Sequence, residues 1–314
     1  MRVQGIRNLG PTVWGIAIVL VALAVAAPFA PAYQLTILIG ILLFAALAYS
    51  MNLIAGLTGY VSFGHVVFMG TGAYAWGYVV GTFRWHPFAG IAVGAAVGLL
   101  LALGIGIVAF RFRGVYFAIA TLVTALAAQN IILVIPALGD GQGIVLNLPF
   151  EPLTWFYTIL VILGIEVSLT YWVTHGRIGY GLRAVKSDED AAKTLGVNAA
   201  RLKLFVFAFS GLFAGAAGAL NVWTLSGVFP GPAFDLRFSL QMLAMVIVGG
   251  MGTLVGPLLG AVAVYLPHLY FLKVAVGAEF IVIGILVTIF ALAVPQGIVG
   301  ALRRYVPFLR RILE

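Results

Sequence analysis

The chain has 314 residues, 63% of them hydrophobic and only 8% charged, with a mean hydropathy of +1.15, which excludes a soluble globular domain. Its formal charge of +8 is spread without a continuous basic patch or a reader motif, which excludes a nucleic-acid binder. The absence of cysteine excludes disulfides, thiolate metal sites and cysteine nucleophiles.

Apolar runs of roughly 17 to 25 residues recur, each long enough to cross a bilayer as a helix. Segments such as "WGIAIVLVALAVAAPF" are apolar on every side rather than alternating, so the spans are helical and not strands of a barrel. The predicted class is an all-α polytopic membrane helix bundle of 8–10 transmembrane helices with broken or re-entrant segments, forming one transmembrane domain over 1–314.

At the N-terminus, Arg2, Arg7, the apolar run from Val13 and the small residues Ala24 to Ala27 imitate a secretory signal. With many spans following, an uncut first helix is the expectation. Predicted spans cover 13–29, 33–55, 66–82, 88–110, 115–136, 153–175, 204–225, a broken stretch 238–270, and 279–299. Arg111 and Arg113 mark one cytoplasmic loop, and the segment from Arg177 to Lys203 marks another. No Lys or Arg lies between Arg113 and Arg177, so the loop "ALGDGQGIVLNLPFEP" is placed outside. The basic tail 300–314 and Arg2 and Arg7 put both termini in the cytoplasm. An even number of crossings follows, ten if 238–270 crosses twice and eight if it is partly re-entrant.

Glycines form two patterns. Gly90, Gly94 and Gly98, continued by Ala102 and Gly106, line one helix face and predict close helix packing. "GLTGYVSFGH" (56–65) and "GGMGTLVGP" (249–257) place helix-breaking residues at membrane depth, where unwound backbone is tolerated only against protein or a water-filled cavity. Such breaks in transporters lie along solute routes. Asn52, Thr58, Ser62 and His65 around the first break and Thr253 near the second are therefore the predicted solute-path residues.

Nine of the 26 charged residues lie between Arg177 and Lys203. Ser187 with Asp190 three residues on gives a capping-box-like start, and Asp188, Glu189 and Asp190 suit the positive end of a helix. Gly196 suits a left-handed stop, and Asn198 caps a second helix running into the next span. The prediction is a short helix, a turn and another helix on the cytoplasmic face, a coupling loop over 176–203.

"DAAKTLG" (190–196) is similar to the Glu-Ala-Ala-x-x-x-Gly coupling motif of ABC importer permeases, with Asp190 at the Glu position. The Ile-x-Leu-Pro element of the longer motif is absent. A wider resemblance is carried by "SMNLIAGLTGYVSFGHVVFMGTGAY" (50–74), "FRGVYFAIATLV" (112–123), "GRIGYGLRAVKSDEDAAKTLGVNAARLKLFVFAFSGLFAGAAGAL" (176–220) and "LAMVIVGGMGTLVGPLLGA" (243–261). Together they resemble the LivM branch of the branched-chain amino acid ABC permeases. The resemblance implies a multi-pass subunit in the bacterial inner membrane, with Asp190, Ala191, Ala192, Leu195 and Gly196 docking on an ATPase. It also implies a second LivH-like permease, two ATP-binding subunits and an extracytoplasmic solute-binding protein; relatives handling urea or short amides share these blocks. No G-x-x-x-x-G-K-[ST] loop occurs, so ATP and Mg are expected on partner subunits, with no cofactor bound by this chain and no enzymatic activity of its own.

Glu166 lies well inside a span, where a carboxylate is costly, and supports a competing reading as an ion- or proton-coupled secondary transporter. The four histidines, His65, His86, His175 and His268, lack metal-ligand spacing, so no metal is expected.

Overall fold

The computed structural model describes residues 11–274, 284–285, 288–290, 292 and 296–305. The described part is helical apart from two short strands and the loops. The N-terminal arginines, most of the predicted span 279–299 and the end of the basic tail lie outside the described residues. In chain order the helices are α1 (Pro11–Ala26), α2 (Ala32–Thr58), α3 (Val66–Phe83), α4 (Pro87–Ala109), α5 (Val115–Leu133), α6 (Pro152–His175), α7 (Arg177–Ser187) and α8 (Glu189–Thr194). They continue with α9 (Ala199–Leu225), α10 (Pro230–Ala233), α11 (Leu236–Gly249), α12 (Gly256–Val274) and α13 (Gly297–Tyr305). β1 (Ile144–Val145) and β2 (Gly227–Val228) pair antiparallel, Ile144 with Val228, and tie together the loops that follow α5 and α9.

Among the described residues, seven stretches are long and apolar enough to cross a bilayer: Thr12–Phe29, Ala32–Thr58, Pro87–Ala109, Val115–Leu133, Pro152–His175, Ala199–Leu225 and Pro230–Gly249. This chain is an integral membrane protein of the all-α class. The predicted span 66–82 forms α3 but is not among the seven. Its glycines and tyrosines dilute its hydropathy, and most of its side chains pack against protein rather than facing outward.

Packing explains the glycine stripe. On α4, a methyl added at Gly98 would overlap the carbonyl oxygen of Gly211, and one at Gly94 would lie 2.9 Å from Ala219 Cβ and from the Gly72 carbonyl. Helices α3, α4 and α9 thus meet backbone to backbone, which gains dispersion contacts where lipid supplies no hydrophobic drive. Gly90 faces the Trp76 ring, and Trp76 donates its indole N–H to the Pro87 carbonyl at 2.9 Å. At the other extreme α1 touches little but α6 and presents Trp14, Ile18, Val21 and Val25 outward.

Helix α2 is the axle of the bundle, with every residue from Leu42 to Thr58 buried, among α6, α9, α11 and α12. The broken stretch 238–270 is two helices, α11 and α12, folded back on one another around 250–255. Two of its glycines are there for contact: a methyl at Gly249 would strike the Gly256 carbonyl, and one at Gly260 the Met245 carbonyl. Gly250 and Gly252, with φ of 123° and 82°, make the turn itself.

Candidate functional site

The charged hairpin is two short helices, α7 and α8, and the start of α9. Helix α7 buries Gly179, Leu182 and Val185 and exposes its basic side chains. It runs through Ser187, so the residue that leaves helical geometry and caps α8 is Asp188, not the predicted Ser187. The Asp188 carboxylate accepts from the Asp190 and Ala191 amides at 2.9 and 3.0 Å. Gly196 takes φ +83° and ends α8, while the Val197 amide bonds back to the Ala192 carbonyl at 3.0 Å. Asn198 Oδ1 accepts from the Arg201 amide at 3.1 Å and starts α9.

The alanine pair divides. Ala192 is buried in a small apolar cluster with Val185 and Ala199, so it holds the hairpin together and has no free surface to offer. Ala191 and Gly196 face outward with Leu195, which is 82% exposed. Asp190 is also exposed and meets Arg113 of the α4–α5 loop at 2.9 Å, which holds its carboxyl below the usual aspartate range.

Beneath α8 lies a cluster that the sequence reading missed. Lys203, only 1% exposed, donates to both Glu189 carboxylate oxygens and to Tyr60 Oη, each at 3.0 Å. The Tyr60 hydroxyl donates in turn to Glu189 Oε2 at 2.6 Å. The ammonium sits 4.1 Å from the Tyr60 ring centroid and 5.2 Å from that of Phe110, a cation–π arrangement that compensates part of its lost hydration. Burial pushes the Glu189 carboxyl up, but hydrogen bonds from Tyr60, Lys203 and Lys193 outweigh it and hold the group at about 2. The sequence signal was a lysine placed at the start of an apolar run, which is tolerated only with a partner.

Tyr60 belongs to the first break, so the hairpin is fastened to the α2–α3 connection. A second tie sits beside it: Lys186 Nζ donates to the Gly56 carbonyl at 2.7 Å. That carbonyl lies in the last turn of α2, where intrahelical donors run out and a cation complements the helix end.

The two breaks meet. Gly252 donates its amide to Asn52 Oδ1 at 2.8 Å, and Asn52 Nδ2 donates to the Thr253 carbonyl at 3.1 Å. Tyr49 Oη donates to the Leu254 carbonyl. Tyr49, Asn52 and Gly56 share one face of α2, and that face grips the α11–α12 turn. Thr253 Oγ1 accepts from the Gly256 amide at 3.1 Å and so starts α12.

Of the five predicted solute-path residues, Asn52 and Thr253 are therefore brought together. Thr58 closes the end of α2, bonding the Ile54 carbonyl at 2.6 Å and accepting from the Tyr60 amide at 3.2 Å. His65 Nε2 pairs with Ser50 Oγ at 3.0 Å, while Ser62 is buried with no hydrogen-bond partner for its hydroxyl among the described residues. None of the five lines the cavity of about 650 Å³ at α5, α10, α11 and α12 or the one of about 360 Å³ between α4 and α6. Glu166 is fully buried on α6 near Tyr49, with neither carboxyl oxygen hydrogen-bonded within the described residues. Among those residues no group of three His, Cys, Asp or Glu could hold a metal ion.

The sequence matches the family model described as "Branched-chain amino acid transport system / permease component" over residues 32–291, which include both breaks and the whole hairpin. Similar proteins include the high-affinity branched-chain amino acid permease LivM of Salmonella typhimurium, 27% identical over 258 residues, covering 70% of this chain and 59% of that protein. The ribose import permease RbsC of Escherichia coli is 29% identical over 198 residues, 55% of this chain and 60% of that one. A probable branched-chain permease LivH of Methanocaldococcus jannaschii is 27% identical over 228 residues, 66% and 71% respectively. The chain spans about three fifths of the length of the LivM relative. No solved structure matches it. The chain belongs to the family of permease components of branched-chain amino acid transport systems.

Proposed function

We propose that this chain is a membrane-spanning subunit of an ATP-driven importer of branched-chain or similar amino acids, in which α8 is the point of attachment for an ATP-hydrolysing partner. The observation that carries the reading is Leu195. A leucine that is 82% exposed at the tip of a short, doubly capped helix outside any span is a knob without a socket among the described residues. The helix beneath it is fixed by Glu189 and Lys203, so a push on the knob moves the base of α9 and the break at Tyr60 together. Two ATP-binding subunits carrying ATP and Mg, a LivH-like second permease and an extracytoplasmic binding protein complete the proposed assembly, with both termini of this chain cytoplasmic in an inner membrane. The names of the relatives support amino acids first and sugars second.

The test is Leu195→Asp in the complete importer reconstituted in liposomes. A charge in an apolar socket is expected to lower solute uptake by at least tenfold and to release the ATPase subunits on purification, with the chain's membrane level unchanged. Undiminished uptake would remove α8 as the docking helix.

The competing secondary-transporter reading rests on Glu166, a carboxylate inside a span with no hydrogen-bond partner among the described residues. Glu166→Gln keeps shape and removes the ionisable proton. Uptake within about twofold of wild type is expected, because Glu166 lines neither cavity. A collapse of uptake together with loss of its pH dependence would favour ion coupling.

A further inference from the structure

The cavity of about 360 Å³ between α4 and α6 is walled by two membrane-crossing helices, and its place follows from connectivity. Helix α3 starts just past Tyr60, which bonds α8, and crosses to the other end of the bundle, so α4 begins there with Phe88 and Ile91. Helix α6 reaches the hairpin through His175, so Thr154 to Ile162 lie in its half away from the hairpin. Both walls are therefore at the end of the bundle opposite α8. Phe88 and Val161 are exposed, so the cavity opens sideways, where hydrocarbon surrounds the two spans.

Three polar side chains line this cavity, and two are already spent. Thr158 donates to the Thr154 carbonyl at 2.6 Å, and Tyr157 donates to the Ala24 carbonyl of α1 at 3.0 Å. Only the Thr154 hydroxyl, in the first turn of α6, has no partner among the described residues. A polar solute would give up its hydration here for that single group, whereas a hydrocarbon chain gives up nothing. A protein helix is too large an occupant, because one turn about 10 Å across and 5.4 Å long fills roughly 420 Å³.

The connection between α3 and α4 supplies a polar end. Arg84, Trp85 and His86 are all exposed, and among the described residues Arg84 has no carboxylate partner. The His86 ring stacks on Phe88 with centroids 5.3 Å apart, which sets it at the mouth of the cavity. Its Nδ1 accepts from the Phe88 amide at 3.5 Å, so the neutral ring carries its proton on Nε2 and keeps a free donor. Trp85 is a residue type enriched where a bilayer meets water.

We infer that this cavity holds an acyl chain of a phospholipid from the leaflet opposite the hairpin, with the headgroup phosphate on Arg84 and His86 and the chain over Phe88, Ile91, Val161 and Ile162. A guanidinium and an imidazole N–H above an apolar cleft match a molecule with an anionic phosphodiester at one end and hydrocarbon at the other. The lipid serves as a brace. Phe88 meets Trp223 of α9 edge-on at 5.3 Å, and Tyr157 ties α6 to α1, so an occupied cleft supports α4, α6 and α9 together. The site depends neither on the solute carried nor on the attachment of an ATP-hydrolysing partner at α8.

The experiment uses the complete importer in maltoside micelles, a detergent without phosphate. To it is added phosphatidylglycerol with a diazirine in its acyl chain, or diacylglycerol carrying the same chain, and labelled peptides are mapped by mass spectrometry after illumination. With phosphatidylglycerol, labelling of 88–91 and 158–162 is expected to exceed that of 165–172 at least about fivefold, because Ile165 and Trp172 also face outward but line no cavity. Ile162→Trp, which fills the cleft, should bring the labelling down to the level of 165–172. Arg84→Gln, a surface change that leaves the cleft intact, should lower phosphatidylglycerol labelling roughly fivefold and leave diacylglycerol labelling unchanged. Excess inorganic phosphate should displace neither lipid. Equal labelling along the whole of α6 would mean an ordinary lipid coat and overturn the site. Diacylglycerol labelling as strong as that of phosphatidylglycerol would overturn the headgroup contact. Absence of label from both segments would show the cleft closed by a neighbouring subunit and overturn the lipid as its occupant.

Discussion

Replacing Lys203 with methionine is expected to cut ATP-driven uptake by tenfold or more and to lower thermal stability by about 3 kcal/mol. The reason lies in what the ammonium leaves behind. At 1% exposure Lys203 has given up water for Glu189, Tyr60 and two aromatic faces, and Glu189 has in turn accepted three donors. Taking out the central donor strands a carboxylate that is poorly placed to rehydrate, which costs more than the pair itself contributed. Lys193 gives the contrast: it also reaches Glu189 at 3.0 Å, but its side chain is 42% exposed, so Lys193→Met should cost under about 1 kcal/mol. The double variant Glu189→Gln, Lys203→Met should recover part of the loss, since neither buried partner is then left charged and alone.

Acid gives an independent check on the same cluster. The folded Glu189 carboxyl, held at about 2, lies below its ordinary value, so its contribution is complete above about pH 4.5 and disappears as the pH falls through about 2. The stability gap between wild type and Glu189→Gln should therefore be constant from pH 5 to 8 and shrink only on acidification below pH 4.5. Equal melting temperatures for Lys203→Met and Lys193→Met, or a gap that changes near pH 7, would show that the cluster does not fasten the hairpin.

These partners show what a linear reading can and cannot reach. The helix from Glu189 to Thr194 was legible because its start and stop are set within a few residues: a carboxylate at the cap, a glycine at the end. Even there the cap fell one position away, because Ser187 and Asp188 are both competent caps and the choice depends on where α7 stops. The long spans were legible because lipid forces every backbone polar group into helix. Lys203 finds Tyr60 across 143 positions and Asn52 finds Gly252 across 200, and no local periodicity encodes either meeting. The polar residues at the breaks were read as facing a solute because broken helices suggest a cavity. In the structure Asn52, Thr58 and Thr253 spend their hydrogen-bonding capacity on the backbone that the breaks leave unpaired. Asp235 and Arg237, among the residues that line the cavity of about 650 Å³, sit just before the predicted stretch 238–270, and nothing in their spacing singles them out.

The joint between the breaks carries the second large expected effect, and Gly56→Ala tests it with a single methyl. Gly56 lies within α2, so the backbone accepts alanine without strain and only space is at issue. The added carbon would fall on Asn52 Oδ1 and 2.8 Å from the Gly252 amide nitrogen. Asn52 is fully buried and must turn away, which deprives the Gly252 amide of its acceptor and the Thr253 carbonyl of its donor. At about 1–3 kcal/mol for each buried group left unpaired, the variant should lose roughly 2–6 kcal/mol, enough to lower uptake more than tenfold and the melting temperature measurably. Gly164→Ala is the matched control, because nothing lies within 4 Å of its added carbon, and in α6 it should be neutral or stabilising by up to about 1 kcal/mol. Asn52→Ala alone leaves the same two groups unpaired, so it should reproduce most of the loss, and adding Gly56→Ala to it should cost little more. If Gly56→Ala transports as well as Gly164→Ala, the grip of α2 on the α11–α12 turn is not part of the transport cycle, and motion from the hairpin must reach α11 and α12 by another route.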